Sequence, residues 1–338
     1  MGSSMKYLIF GAGAVGCYVG GKLAAAGADV VFYGREKIAK TIAQHGLSLS
    51  HHHDEAVHVP HPKFSTTLDG LHDPDMILLC VKSQDTQAAA EEISTHFPPS
   101  VSVLSLQNGV DNVPLLREAL PGRTILGGMV PYSVTGVGEG VFHQGMDGAL
   151  VFEQDPVAAE LVEACQGAGL DACTSPNITG VLWGKLLINL NNALNVLADM
   201  PLKDQFRQRE YRRLFAALIR EGLSVLKAAG VEATGSGKTT PKRVARLFDI
   251  PDFVFYPLSN RILKMDPKAR SSMWQDLQTG RASEIDHLQG AVCRLGKKVG
   301  VATPLNDKVT HLVNQAFADG VSPALSGRDL REQLSKMD

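Results

Sequence analysis

The run Gly11-Ala12-Gly13-Ala14-Val15-Gly16 constrains this chain more than any other feature. It follows the apolar stretch Tyr7–Phe10 directly and opens a segment of helical composition through Lys22 to Ala26. In a strand–turn–helix setting the first glycine permits a tight turn, the second lets an anion approach the backbone, and the third lets helix and strand pack closely. Free N–H groups and the helix dipole favour anions at such a helix start. The pattern predicts a Rossmann-type α/β domain with a dinucleotide pyrophosphate lying over its first turn.

From Lys6 to about Phe152, short apolar runs alternate with helix-length segments, the texture of a parallel sheet with helical crossovers. Strands are expected at Tyr7–Phe10, Asp29–Tyr33, Met76–Val81, Val101–Leu106, Thr124–Met129 and Ala149–Phe152. Beyond Asn177 long helical patterns take over at Val181–Leu197, Glu210–Ala229, Ser272–Val299 and Lys308–Phe317. Pro241, Pro251, Pro257 and Pro267 break up Glu232–Arg270 into shorter helices or loops. A length of 338 residues suits two domains. We place the dinucleotide domain at 5–177 and a mostly α-helical substrate domain at 178–338, with a cleft between them.

The end of the second strand bears on which dinucleotide binds. Folds that take NAD usually put a carboxylate there for the ribose 2′-hydroxyl. Here the sequence reads Tyr33-Gly34-Arg35, and a guanidinium fork suits a 2′-phosphate. NADPH is the cofactor this predicts, with Lys37 or Lys40 as further cations.

Two more strand ends carry polar residues where ligands bind in such sheets: Val81-Lys82-Ser83 and Gln107-Asn108-Gly109. Asn108 before glycine also reads as a turn residue, and Lys82 as a surface charge. In the second half, Lys185 and Asn189 share one face of an otherwise apolar helix, which would turn both toward the cleft. Asn191, Asn192 and Asn195 crowd the same helix and need partners, protein or substrate. Ser271 or Ser272 reads as a helix cap, with Gln275 as capping-box partner of Ser272. Glu284 and Asp286 form a further acidic pair, which reads equally as a solvated face.

Taken together, these motifs resemble the ketopantoate reductases (2-dehydropantoate 2-reductases), whose helical domain is similar to that of 6-phosphogluconate dehydrogenase. The likeness runs through Gly11–Gly16, Arg35, Val81-Lys82, Gln107-Asn108-Gly109, Leu182-Trp183-Gly184-Lys185-Leu186, Asn189, Ser271–Asp276 and Glu284-Ile285-Asp286. It implies Lys185 as general acid and Glu284 as a partner of the substrate hydroxyl. It also implies Asn189 and Ser272 as substrate ligands, with Asn108 and Lys82 lining the nicotinamide end. The implied reaction is NADPH-dependent reduction of 2-dehydropantoate, in pantothenate biosynthesis. Ala193-Leu194 departs from the family, which often has asparagine then proline there. Alternatives are another 2-oxo acid or carbonyl substrate, or a non-catalytic NADP-binding redox sensor. A sensor would keep Gly11–Gly16 and Arg35 but have no use for Lys185 with Glu284.

Composition narrows the partners. A net charge of −2 offers no basic excess for a nucleic-acid backbone. Five scattered cysteines without a CxxC pair argue against a disulfide framework or a zinc site, and fit a reducing cytoplasm. The early apolar stretch regains charge at Lys22 and Asp29, too soon for a membrane span. Met5 reads as the natural start. His51-His52-His53 has no second ligand set, and Gly235-Ser236-Gly237-Lys238-Thr239 lacks the first glycine of a phosphate loop. A 2-keto acid is the expected small-molecule partner, and a homodimer through the helical domain is an expectation by analogy.

Overall fold

A computed structural model of the chain describes residues 5–51, 56–71, 74–235, 240–258 and 268–335. The backbone divides into two compact units, Met1–Leu182 and Trp183–Asp338.

The first unit opens with β1 (Lys6–Phe10), α1 (Ala14–Ala25), β2 (Asp29–Tyr33), α2 (Glu36–His45), β3 (Leu47–His51), β4 (Val57–Val59) and β5 (Lys63–Ser65). It continues through β6 (Met76–Leu79), α3 (Thr86–His96), β7 (Ser102–Ser105), α4 (Asn112–Ala119) and β8 (Ile125–Met129). It ends with β9 (Val134–Gly138), β10 (Val141–Gln144), β11 (Leu150–Glu153), α5 (Pro156–Gly167) and β12 (Ala172–Ser175).

Eight strands form one sheet in the order β12-β11-β8-β7-β6-β1-β2-β5. All neighbours are parallel except β8 and β11. Central strands covered by helices on both faces should be apolar throughout, and Met76 to Leu79 of β6 are all buried. Alternate residues of β1 feed opposite cores. Tyr7 and Ile9 join the side packed by α1 and α5, while Leu8 and Phe10 join Ile93 of α3 and Leu116 of α4.

Sequence patterning misses a second, four-stranded sheet, ordered β4-β3-β10-β9. Its strands are three to five residues long, and β9 contains Gly136 and Gly138. Neither gives a clear two-residue hydrophobic period. Leu47 and Leu49 of β3 and Phe142 of β10 are its core residues, and the two leucines press on α1 so closely that a Cβ at Gly21 would lie 2.7 Å from Leu47 and 2.9 Å from Leu49.

The helical region runs α6 (Ile178–Asn189), α7 (Asn191–Ala198), α8 (Leu202–Arg207), α9 (Arg209–Ala228), α10 (Pro241–Asp249) and α11 (Asp252–Leu258). Then come α12 (Ser272–Gln278), a 3-10 turn at Ile285–His287, α13 (Gln289–Val299), α14 (Pro304–Asp319) and α15 (Gly327–Ser335). The unit boundary falls inside α6. The helix expected over Val181–Leu197 is two helices meeting at Leu190. The one expected over Ser272–Val299 is broken after Gln278. Gly280 takes φ +64 there, and Arg281 N donates to Asp276 O at 2.8 Å, closing the end of α12.

Within Glu232–Arg270, Thr240 caps α10 through a bond from Arg243 N, with Pro241 in the first turn. Arg212 of α9, fully buried, ties α11 in place. It pairs with Asp252, donates to Phe206 O at 3.0 Å and lies 4.0 Å over the Phe255 ring. His52, His53 and Ser236–Thr239 lie outside the described residues. Among the described residues, no helix is long and apolar enough to cross a membrane.

Candidate active site

The first turn is built by its glycines. Gly11 takes φ +96, and a Cβ there would sit 2.7 Å from Val81 N. Its N–H and that of Ala12 both donate to Tyr33 O, at 3.0 and 2.8 Å, locking the loop to the end of β2. A Cβ at Gly16 would meet Ile9 at 2.7 Å and Gly11 O at 2.8 Å, so this glycine is required by packing. Gly13 differs: a Cβ there would find only Gly11 O, at 4.0 Å. Gly13 is the N-cap of α1, and no side chain caps that helix. The open space beside Gly13, facing the start of α1, suits a pyrophosphate.

At the end of β2, Gly34 lies so near the loop that its Cβ would stand 2.9 Å from the Ala12 Cβ. The next residue, Arg35, is exposed and begins α2 as its N-cap. Lys40, one of the suggested helpers, instead pairs with Glu36 at 3.4 Å.

The ends of β6 and β7 are joined by a buried polar network that sequence reading did not find. Ser83 Oγ donates to Asn108 O at 2.9 Å, and Asn112 Nδ2 donates to the same carbonyl at 2.7 Å. Thr86 Oγ1 lies 2.9 Å from Asn112 Oδ1 and accepts from Gln107 Nε2 at 2.7 Å. Ser105 Oγ donates to Gln107 Oε1 at 2.9 Å. With its carbonyl held twice and Gly109 at φ +94, Asn108 leaves its own side chain exposed beyond the strand end. It serves as the turn residue, and its amide stays available to a ligand. Lys82 begins the short 3-10 turn Ser83–Asp85 and is half-buried.

In α6, a Cβ at Gly184 would lie 1.7 Å from Thr234 O, so the Val231–Gly235 segment crosses the helix in direct contact with it. Lys185 follows at once and is half-buried. Burial lowers its ammonium pKa from the ordinary 10.5 to about 8, because the charged form loses hydration. Asn189 ends α6 and is also half-buried.

The asparagines of α7 have mostly structural work. Gln205 Nε2 donates to Asn191 Oδ1 at 2.9 Å, and Asn195 Nδ2 donates to Gln205 Oε1 at 2.9 Å and to Met200 O at 2.8 Å. Asn195 Oδ1 then accepts from Ser271 N at 2.9 Å. Ser271, not Ser272, caps α12, accepting from Trp274 N at 3.2 Å. Trp274 thus occupies the third helical position, and the expected Ser272–Gln275 capping box does not form. Freed from capping, Ser272 is exposed. Glu284 is buried and Asp286 exposed, so the acidic pair is not one solvated face.

Residues 7–156 match the family model described as ketopantoate reductase PanE/ApbA, and residues 177–317 match the model of its C-terminal part. The chain belongs to the ketopantoate reductase family. It is 30% identical over 312 residues to a 2-dehydropantoate 2-reductase of Pyrococcus horikoshii, covering 89% of this chain and 94% of that one. With the Halobacterium salinarum 2-dehydropantoate 2-reductase it shares 27% identity, covering 94% of this chain and all of the relative. Among solved structures, a PanE/ApbA family ketopantoate reductase from Ralstonia eutropha JMP134 superposes with a TM-score of 0.80 at 33% identity, over 94% of this chain and 99% of the other. A D-mandelate dehydrogenase solved with NADH and anilino(oxo)acetate has the same TM-score at 24% identity, over 94% and 99%, and shows a shared fold. The chain is accordingly an NAD(P)H-dependent oxidoreductase.

Within this reductase, the first unit carries Gly11–Gly16, Arg35, Lys82 and Asn108 at the carboxyl ends of β1, β2, β6 and β7, where open α/β sheets bind ligands. The second carries Lys185 and Asn189 on α6, Ser272 at the start of α12, and Glu284 beside the 3-10 turn. Thr86, Asn112, Gln205 and Gln289 were missed. One signal did exist for Gln289: it stands in the apolar run Leu288–Cys293, where a buried amide demands a partner.

Proposed function

We propose that this reductase converts 2-dehydropantoate to pantoate with NADPH, using Lys185 as general acid. Bound NADPH supplies the hydride to the keto carbon. Negative charge then grows on the keto oxygen, and the Lys185 ammonium both stabilises that charge and delivers a proton from Nζ. Such general acid catalysis is commonly worth about 10²–10⁴ in rate. The observation that carries this reading is Lys185 itself, a half-buried amine in an apolar helix with its pKa lowered to about 8. An acid with a pKa near working pH transfers its proton most effectively.

Glu284 keeps the lysine and the product hydroxyl in register, and its buried position allows little freedom. Asn189 and Ser272 hold the substrate through their amide and hydroxyl, while Lys82 and Asn108 line the nicotinamide end. Gly11–Gly16, with Ala12, Ala14 and Val15, receives the pyrophosphate, and Arg35 takes the 2′-phosphate. The enzyme works in the cytoplasm, in pantothenate biosynthesis.

A second reading, another 2-oxo acid on the same machinery, draws on position 193. Ala193 is fully buried in α7, so no polar group reaches a ligand from the place where the family often has asparagine. The deciding assay follows NADPH oxidation by the purified enzyme with 2-dehydropantoate and a panel of other 2-oxo acids. Turnover of 2-dehydropantoate supports the first reading, and turnover of other members alone transfers the proposal to them. Tight NADPH binding without oxidation by any member would leave the non-catalytic sensor.

A further inference from the structure

Asp199 closes α7 in the left-handed conformation, φ 47 and ψ 41, a region that aspartate tolerates better than most residues. That turn aims its carboxylate at α12. A single oxygen, Asp199 Oδ1, accepts from Trp274 Nε1 at 2.7 Å and from Arg270 Nη1 at 3.2 Å. The Arg270 guanidinium also lies 4.4 Å over the Trp274 ring, closing a three-membered cluster.

Arg270 and Trp274 stand on either side of the Ser271-Ser272 pair. Ser271 is itself held by Asn195 through its N–H and by its cap bond to Trp274 N. Just upstream, Ala269 O accepts from Leu202 N at 2.9 Å. The segment entering α12 is therefore tied to α7 by the buried Asn195 bond and to α8 by the Leu202 bond, and across Ser272 by the more exposed carboxylate of Asp199.

We propose that Asp199 is a positioning residue for the substrate: by gripping Arg270 and Trp274 together it fixes the Ser272 hydroxyl in the orientation that binds the 2-keto acid. This rests on the reading of Ser272 as a substrate ligand. Among the described residues the exposed Ser272 hydroxyl has no hydrogen-bond partner to set its direction, and one carboxylate crossing from α7 supplies that constraint. The contribution belongs to substrate binding, not to proton transfer.

Steady-state kinetics of four variants test it. Asp199→Gly keeps the left-handed turn free of strain but removes the carboxylate, and it should raise KM for 2-dehydropantoate about tenfold, the scale of one lost charge-assisted hydrogen bond. Its kcat should stay within about twofold, and its KM for NADPH should not change. Asp199→Asn retains an acceptor oxygen and should recover most of the loss. Trp274→Phe removes the indole donor while keeping an aromatic ring beneath Arg270, and should repeat part of the defect. Ser272→Ala separates the two ideas. If it leaves KM unchanged, the role of Ser272 itself is wrong. If Ser272→Ala raises KM while Asp199→Gly and Trp274→Phe bind substrate like wild type, Asp199 does not position Ser272 and the proposal is overturned. A loss in Asp199→Gly that falls on kcat instead of KM overturns it equally.

Discussion

The Gln289 side-chain amide, at the start of α13, donates to the Leu190 carbonyl at 2.9 Å, at the joint where α6 gives way to α7. That joint fixes how Asn189 and Lys185 leave α6 relative to the α7 asparagines. Replacing Gln289 by Leu, which keeps the volume and removes the donor, should cost about 1–3 kcal/mol of unfolding free energy, the range for a buried polar group losing its partner. Urea denaturation measures it. An unchanged midpoint would mean the bond does not hold the joint.

Gly13 and Gly16 should fail in different ways. Gly13→Ala meets no protein atom closer than 4.0 Å and should fold with an unchanged melting temperature, yet its methyl fills the space assigned to the pyrophosphate. NADPH affinity should fall about tenfold or more. Gly16→Ala collides with Ile9 and with the Gly11 carbonyl, and overpacking of this kind typically costs about 1–3 kcal/mol. Melting curves alongside NADPH titrations separate the two.

Arg35→Ala should weaken NADPH with little change for NADH, because the exposed guanidinium has nothing to pair with on a cofactor without the 2′-phosphate. Isothermal titration with both cofactors checks this. Equal losses would contradict the phosphate role.

The sheet and the cofactor loop were legible because their physics is local. A glycine pattern at a strand end and continuous apolar runs specify β1, β2, β6 and β7 without reference to the rest of the chain. The β4-β3-β10-β9 sheet was not legible, since β3 and β10 pair residues more than ninety positions apart and offer little hydrophobic alternation, as in Ser50 against His143. In the helical region the apolar content showed helices but not where they break. The joint at Leu190 depends on Gln289, and the end of α12 on Gly280. Lys185 and Asn189 stood out as polar groups in an apolar helix, whereas the capping role went to Ser271 because Asn195 reaches its N–H, a contact that spans 76 positions.

Lys185 also links stability to pH. Its folded-state pKa of about 8 lies below the ordinary 10.5, so between these values the unfolded chain binds more protons than the native one. This group's contribution to stability therefore rises as pH goes from about 8 to 10.5. Comparing urea midpoints at both ends of that window, the gain should be present in wild type and absent in Lys185→Met, with other titrating groups cancelling in the difference.

In the proposed reaction the Lys185 ammonium protonates the keto oxygen. Single-turnover NADPH oxidation with saturating 2-dehydropantoate, followed from pH 6 to 10 in wild type and Lys185→Ala, reads out that proton transfer. With Lys185 as the acid, the wild-type rate should fall as pH rises through about 8, as the acid form is lost. The Lys185→Ala rate should be lower by about 10²–10⁴ and lack this limb. A Lys185→Ala enzyme that keeps the wild-type rate and the same pH limb would contradict it.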